Sequence, residues 1–131
     1  YHAAPLGWCT TVHRLGGTIV VMEKFEPEAA LAAIEKYRIT DSQWVPTHFV
    51  RMLKLPEEVR RRYDLSSHCR AIHAAAPCPV PVKREMIDWW GPIITEYYAG
   101  SEGIGMTLIK AEDWLAHPGS VGKAIYGTLH V

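Results

Sequence analysis

The chain lacks most of the features that would narrow its function quickly. Its three cysteines, Cys9, Cys69 and Cys78, form no C-x-x-C pair, and an odd count leaves one thiol unpaired. That count favours buried or incidental thiols, and a reducing, cytoplasmic compartment is expected. Charge of one sign is also missing, because fourteen Lys and Arg balance fourteen Asp and Glu. No basic stripe interleaves with aromatics, so nucleic acid is excluded as a partner. The short run Arg60, Arg61, Arg62 follows Glu57 and Glu58, as on a solvated helix face. No apolar run approaches the ~20 residues that span a bilayer, and no signal segment opens the chain. His68, Cys69, His73 and Cys78 match no zinc spacing, since alternate residues of a strand through 69–73 face opposite ways.

What is present is an alternation of strand and helix signals. Residues 6–15 read as a helix stopped by Gly16 and Gly17. Residues 18–22, Thr-Ile-Val-Val-Met, read as a strand buried on both faces. Pro27 suits a first helical turn, and Ala30, Leu31, Ile34 and Tyr37 continue it at helical spacing. An extended stretch over 39–45 ends at Pro46, after which Thr47 is the expected N-cap of a helix carrying Phe49, Val50, Met52 and Leu53. A charged helix is expected from Pro56 to Arg62, a strand over 69–75 and a helix over 82–90. Strands over 93–98 and 105–110, a short helix over 111–116 and a loop over 117–123 complete the pattern. The run 127–131 is strand-like. Strands separated by helices predict an α/β fold with a mostly parallel sheet and helices on its faces. The chain begins in mid-motif without a methionine and ends in that strand-like run, so both ends read as cut.

Chemistry concentrates at three turns. The strand 93–98 stops abruptly at Tyr98-Ala99-Gly100-Ser101-Glu102-Gly103, where a hydroxyl and a carboxylate stand side by side. In open α/β sheets, ligands bind beyond the carboxyl ends of strands. A serine there can hydrogen-bond an oxyanion, a carboxylate is a hard ligand suited to Mg²⁺, and Tyr98 can stack on a flat ring. The tiny side chains of Ala74, Ala75 and Ala76, before Pro77, allow a ligand to approach the backbone closely. Tyr1-His2-Ala3-Ala4-Pro5 adds an imidazole in a third small-residue turn.

These residues carry a resemblance. Tyr98-Ala99-Gly100-Ser101-Glu102 is similar to the Tyr-Gly-x-Thr-Glu motif of the adenylate-forming (AMP-binding) enzymes, the superfamily of acyl-CoA synthetases, firefly luciferase and peptide-synthetase adenylation domains. Ala74-Ala75-Ala76-Pro77 resembles its Gly-Gly-Ala-Pro adenine turn, and Tyr1-His2 its upstream aromatic/His motif. Trp44-Val45-Pro46-Thr47 resembles the Val-Pro-Thr turn beside the acyl pocket, and Gly119-Ser120-Val121-Gly122-Lys123 the downstream Gly-Ser-Val-Gly loop. Order and intervals agree over essentially all 131 residues.

The resemblance implies that residues 1–131 are part of an adenylation domain. The family's upstream phosphate loop is absent from this sequence, and the ribose-binding Asp and the C-terminal lid domain would lie downstream. It implies an AMP-forming acid–thiol ligase of the acyl-CoA synthetase branch, in which a carboxylic acid, here a fatty acid, attacks ATP to give an acyl-adenylate and pyrophosphate. Coenzyme A then takes the acyl group. By position, Tyr98 stacks on adenine and Ala74, Ala75 and Ala76 border it. Ala99 and Gly100 carry the backbone past the nucleotide, Ser101 contacts the α-phosphate and Glu102 holds Mg²⁺. His2 lies near the carboxylate and the leaving pyrophosphate, and the runs around Leu6, Trp8 and 44–49 line an acyl channel. The implied partners are a small carboxylic acid, ATP and coenzyme A, and peripheral membrane association of the parent is compatible with them.

The sequence departs from the family pattern at Ser101, which keeps the hydroxyl of the usual Thr, and at Ala74, Ala75 and Ala99, which replace glycines. Ala99 must therefore adopt a torsion that alanine tolerates. With the phosphate loop and lid missing, the isolated segment is expected to be inactive, and a truncated or pseudo-enzyme is the alternative. A serine esterase is a second alternative, because Ala99-Gly100-Ser101-Glu102-Gly103 fits a relaxed nucleophile elbow followed by Asp113 and His117. That elbow should open a helix, whereas residues 103–108 read as loop and strand. A Walker loop fails at Gly122-Lys123, which lacks the following Ser or Thr.

Overall fold

The computed structural model describes residues 2–129. Helix α1 (Ala3–Arg14) is followed by α2 (Pro27–Tyr37), β1 (Asp41–Trp44), α3 (Pro46–Leu53), α4 (Glu57–Arg60) and β2 (Arg70–His73). Then come α5 (Val80–Trp90), β3 (Ile94–Ala99), β4 (Met106–Lys110), α6 (Ala111–Ala116) and β5 (Lys123–Tyr126). The five strands form one sheet in chain order.

The α/β class is as expected, but the sheet is mixed. β1, β2 and β3 run parallel, each joined to the next through helices, while β3–β4 and β4–β5 are antiparallel. The connection after Ala99 explains the change of direction. Only residues 100–105 separate β3 from β4, and a parallel crossover needs a dozen or more.

Three further expectations are corrected. Residues 18–22 form no strand; they lie beside the edge strand β1, and Val21 is 77% exposed. A strand exists only where its backbone finds a ladder, and no described segment pairs with this one. The strand-like signal at the end of the chain is displaced to β5, which stops at Tyr126. Gly127 comes next with φ +78°, where an added Cβ would stand 2.7 Å from Ile104 O. Residues 130 and 131 of that expected strand lie outside the described residues, as does Tyr1. Thr47 is not the cap of α3 either. Pro46 takes the first helical position with Val45 extended before it, because a proline ring presets helical φ and pushes its predecessor out of the helical region.

One face of the sheet carries the core. Leu31 and Ile34 from α2, Phe49 and Met52 from α3, Met86 and Ile87 from α5 and Trp114 from α6 pack with Trp44, Ala71, Ile94 and Ile109 of the strands. Each large apolar side chain among them contributes about 1.5–3 kcal/mol on burial. The core continues into an aromatic cluster in which the Trp44 and Trp90 rings lie 5.2 Å apart and those of Phe49 and His73 5.4 Å apart. By contrast, α1 has no buried residue.

Candidate functional site

The carboxyl ends of β2 and β3 are neighbours in the sheet, with Ala71 beside Ile94 and His73 beside Glu96. The segments leaving these two strands therefore meet at one edge. There the structure has a cleft of about 270 Å³, walled by Ala75, Ala76 and Pro77 after β2, by Glu96, Tyr97, Tyr98 and Ala99 of β3, and by Val121. Segments remote from one another in sequence converge on it, as the crevice rule for α/β sheets requires.

The turn after β2 is shaped by its backbone. Ala75 has φ +77°, a left-handed conformation that costs an alanine roughly 1–2 kcal/mol. This is one of the two alanines of that turn that stand where the family pattern has glycine, and the structure shows why glycine suits it. Ala74 is buried, and its N–H still points along the ladder to Trp44 O at 3.4 Å. It supports the wall and is not part of it. Ala99 causes no such conflict, since its φ is negative and it ends β3 in register with Met106.

Gly100, Ser101 and Glu102 begin one residue beyond the wall. They form a tight turn closed by Gly103 N–H donating to Gly100 O at 3.1 Å, and all three are exposed. Tyr98 is 64% exposed, so a ring face is open to a planar ligand. The turn leads into β4 and not into a helix, so Ser101 lacks the geometry of a nucleophile elbow. Asp113 and His117 sit one helical turn apart on α6 and its cap.

Val121 reaches the cleft because its loop is tied down. Thr107 Oγ1 donates to Val121 O at 2.7 Å, and Gly122 N–H donates to Ser120 Oγ at 3.0 Å. Gly122 has φ +85°, and a Cβ there would stand 2.0 Å from Leu108 O. The close approach admits only glycine, which gives the Gly-Ser-Val-Gly loop a physical reason.

His2 stands at the cap position of α1, extended and exposed, and is not among the residues that form the cleft wall. The structure thus brings Ala75, Ala76, Tyr98 and Ala99 together, sets Gly100, Ser101 and Glu102 at the edge, and leaves His2 in a separate element. A second, larger groove of about 410 Å³ lies along β1. Trp8, Phe25, Trp44 and His48 line it together with residues 18–22, whereas Leu6 is exposed and Phe49 is wholly in the core. Burial holds His48 below the usual histidine range, with Arg51 adding to the effect.

Sequence reasoning missed Glu96. It alternates with Ile94 on the buried face of β3, and a lone acid among apolar and aromatic strand residues was the available signal. Its Oε2 accepts from Lys83 Nζ at 2.5 Å, and His73 Nε2 is 3.5 Å from the same oxygen. Burial draws the Lys83 ammonium below the ordinary lysine range, and Glu96 opposes that shift. The half-buried Cys78 thiol beside them is pushed up to about 11 by desolvation.

A single Glu102 carboxylate fits Mg²⁺ when phosphate oxygens complete the shell, since this ion takes one or two carboxylates and keeps substrate or water oxygens for the rest. Among the described residues, no group of three His, Cys, Asp or Glu side chains is placed to hold a metal unaided. The mixed five-stranded sheet with its helices matches the N-terminal domains of adenylate-forming enzymes. The structure resembles the N-terminal domain of FACL13 from Mycobacterium tuberculosis, with a TM-score of 0.80 at 25% identity over 95% of this chain and 31% of that one. It also resembles a luciferase-like enzyme of the mealworm Zophobas morio, with a TM-score of 0.79 at 23% identity over 97% of this chain and 30% of that one.

The family model for the AMP-binding enzymes matches residues 1–130, and the chain belongs to that family. Among curated relatives, the medium/long-chain-fatty-acid–CoA ligase FadD8 of M. tuberculosis is 36% identical over 102 residues, 77% of this chain and 17% of that protein. The long-chain-fatty-acid–CoA ligase of Bacillus subtilis is 31% identical over 83% of this chain and 19% of its own length. The 4-coumarate–CoA ligase-like 6 of rice is 32% identical over 94% and 21% respectively. The chain thus spans about a fifth of the length of these relatives.

Proposed function

We propose that this segment forms the adenine and α-phosphate side of the nucleotide site in an AMP-forming acid–thiol ligase. The protein carrying it converts a carboxylic acid into an acyl-adenylate and then into a coenzyme A thioester, in the cytoplasm. One observation carries the reading: three motif turns, remote in sequence, meet in one cleft at the carboxyl ends of β2 and β3.

In this reading the adenine lies between the Ala75–Ala76 turn and the exposed Tyr98 ring, with Ala74 packed behind. Ala99 and Gly100 lead the chain along the nucleotide to Ser101, whose hydroxyl donates to an α-phosphate oxygen. Glu102 would hold Mg²⁺, which would supply positive charge against the phosphate oxygens during attack by the acid's carboxylate. His2, from the start of α1, serves the acid and the departing pyrophosphate. The acid itself is apolar and fatty in this reading. The groove along β1 is lined by tryptophans and aliphatic residues, and its one carboxylate, Asp41, is paired with Arg70 at 3.0 Å, so no free acid is left to hold a substrate amine. Two of the relatives carry fatty-acid–CoA ligase names, which favours the same choice.

Pyrophosphate release with a panel of acids tests the proposal on the protein at its native length. Long-chain acids should outrun amino acids, and Glu102→Ala should lower kcat/KM by about 10²–10³-fold with an unchanged circular dichroism spectrum. Release that is indifferent to Glu102 would sink the metal role, and release with amino acids alone would sink the fatty-acid choice. The 131 residues by themselves should release none, as the apolar surface left open at Leu15, Val21 and Ile125 suits a segment that works only when covered.

A further inference from the structure

Lys83 is the least expected buried group in the fold, with no side-chain exposure. Helical spacing explains how it enters the core, since Lys83, Met86 and Ile87 share one face of α5 and all three are buried. The ammonium donates to Glu96 Oε2 and lies 4.7 Å from the centroid of the Trp114 ring. Glu96 in turn is part of the cleft wall. A fixed cation therefore backs the one carboxylate in that wall.

The other groups around Glu96 cannot replace that cation. His73, its register neighbour on β2, is neutral because burial and the Lys83 ammonium push it down to about 3. Cys78, in the loop before α5, keeps its proton at neutral pH. The register neighbour on β4 is Ile109, which carries no charge. A buried ion pair is in general no more stabilising than well-packed apolar side chains of the same size. Stability alone is thus a weak account of this pair, while its position behind the cleft gives it something to do.

We infer that Lys83 is a positioning residue for the nucleotide cleft: by holding Glu96 through one oxygen, it fixes the other as an anionic acceptor for N–H groups on the base. This rests on the reading of the cleft as the adenine seat. An amino group on the base donates to such an acceptor, whereas a carbonyl in its place meets it with two like partial charges and a desolvated, unpaired oxygen. Lys83 does not touch the ligand; it acts through Glu96.

The test is equilibrium binding of ATP and of its inosine analogue, which bears a carbonyl where adenine has the amine, to the native-length protein between about pH 6 and 8. Lys83→Met removes the counter-charge and leaves a buried carboxylate that favours taking up a proton. In that variant ATP binding should weaken toward acid pH, by up to about tenfold per pH unit, and the preference over the inosine analogue should fall. The wild type should keep both its affinity and its preference across the same range. Lys83→Met combined with Glu96→Gln removes the titrating group and the buried charge together, so it guards against misfolding of the single variant. It should bind ATP with no pH dependence and with reduced base preference.

A folded Lys83→Met protein with wild-type preference and a flat pH profile would overturn the inference, as would full preference in the double variant. If the wild type binds neither nucleotide, the assignment of the cleft falls and this inference with it. Wild-type binding of ATP with unaltered variants leaves the cleft assigned and removes only the role of Lys83.

Discussion

The start and the middle of this chain's sequence use apolar residues in opposite ways. Between Asp41 and Trp114, apolar side chains are placed at strand and helix periods and disappear into one core. Before Met22, α1 and the run after it are even richer in Leu, Val and Trp, yet α1 has no buried residue and Leu15 is 81% exposed. Composition is the same in kind; what differs is whether a partner face exists. A helix or strand is defined by local propensity, but its energy comes from the surface it covers.

The largest test of that contrast is a pair of truncations. Phe49→Ala removes a ring packed against Trp44, Trp90 and His73 and should cost about 3–5 kcal/mol. Leu6→Ala, at 59% exposure in α1, should change stability by less than about 0.5 kcal/mol. Urea denaturation of both variants measures the difference. Equal losses would mean that α1 is packed in solution against something and that the two regions are alike.

The same contrast explains which parts of the fold could be read from sequence. The helix over 111–116, and nearly all of the one over 80–90, were legible because their apolar faces find the sheet, so pattern and burial agree. The run 18–22 has as strong a strand pattern as any in the chain and fails, because pattern says nothing about whether a neighbouring ladder is within reach. The sheet's change from parallel to antiparallel lay in a loop length, 100–105, too short for a crossover. In the site, Ala75, Ala76, Tyr98 and Ala99 were legible from small-residue turns at strand ends. Glu96 and Lys83 were not, since each is one charged residue inside an apolar pattern, and their partnership exists only across elements.

A second test concerns acid stability, which should be a property of the central region. Burial pushes His73 down to about 3 and His68 down to about 4. In the unfolded chain both take up a proton near pH 6.5, so below that pH the unfolded state binds protons that the fold refuses. Stability is fully present above about pH 6.5 and falls as pH drops toward the folded values, by roughly 2 kcal/mol per histidine between pH 7 and 5. Denaturation midpoints across that range should show this slope, and His73→Leu should remove about half of it. A slope unchanged in His73→Leu would place the acid sensitivity elsewhere, for example in the exposed ion pairs.

The smallest expected effect bears on the cleft itself. Ala75 holds φ +77° in the turn that walls the cleft, and strained backbone at such a place is stabilising to relieve unless binding depends on it. Ala75→Gly should raise stability by up to about 1 kcal/mol, the relief of the left-handed conformation less the added freedom of the unfolded chain. Its effect on ATP affinity separates two roles for the alanine. If affinity is unchanged, the methyl group is only tolerated, and the turn binds through its backbone as a glycine turn does. If affinity falls while stability rises, the alanine narrows and stiffens the cleft, and this chain has exchanged backbone comfort for a more rigid wall than its family pattern provides.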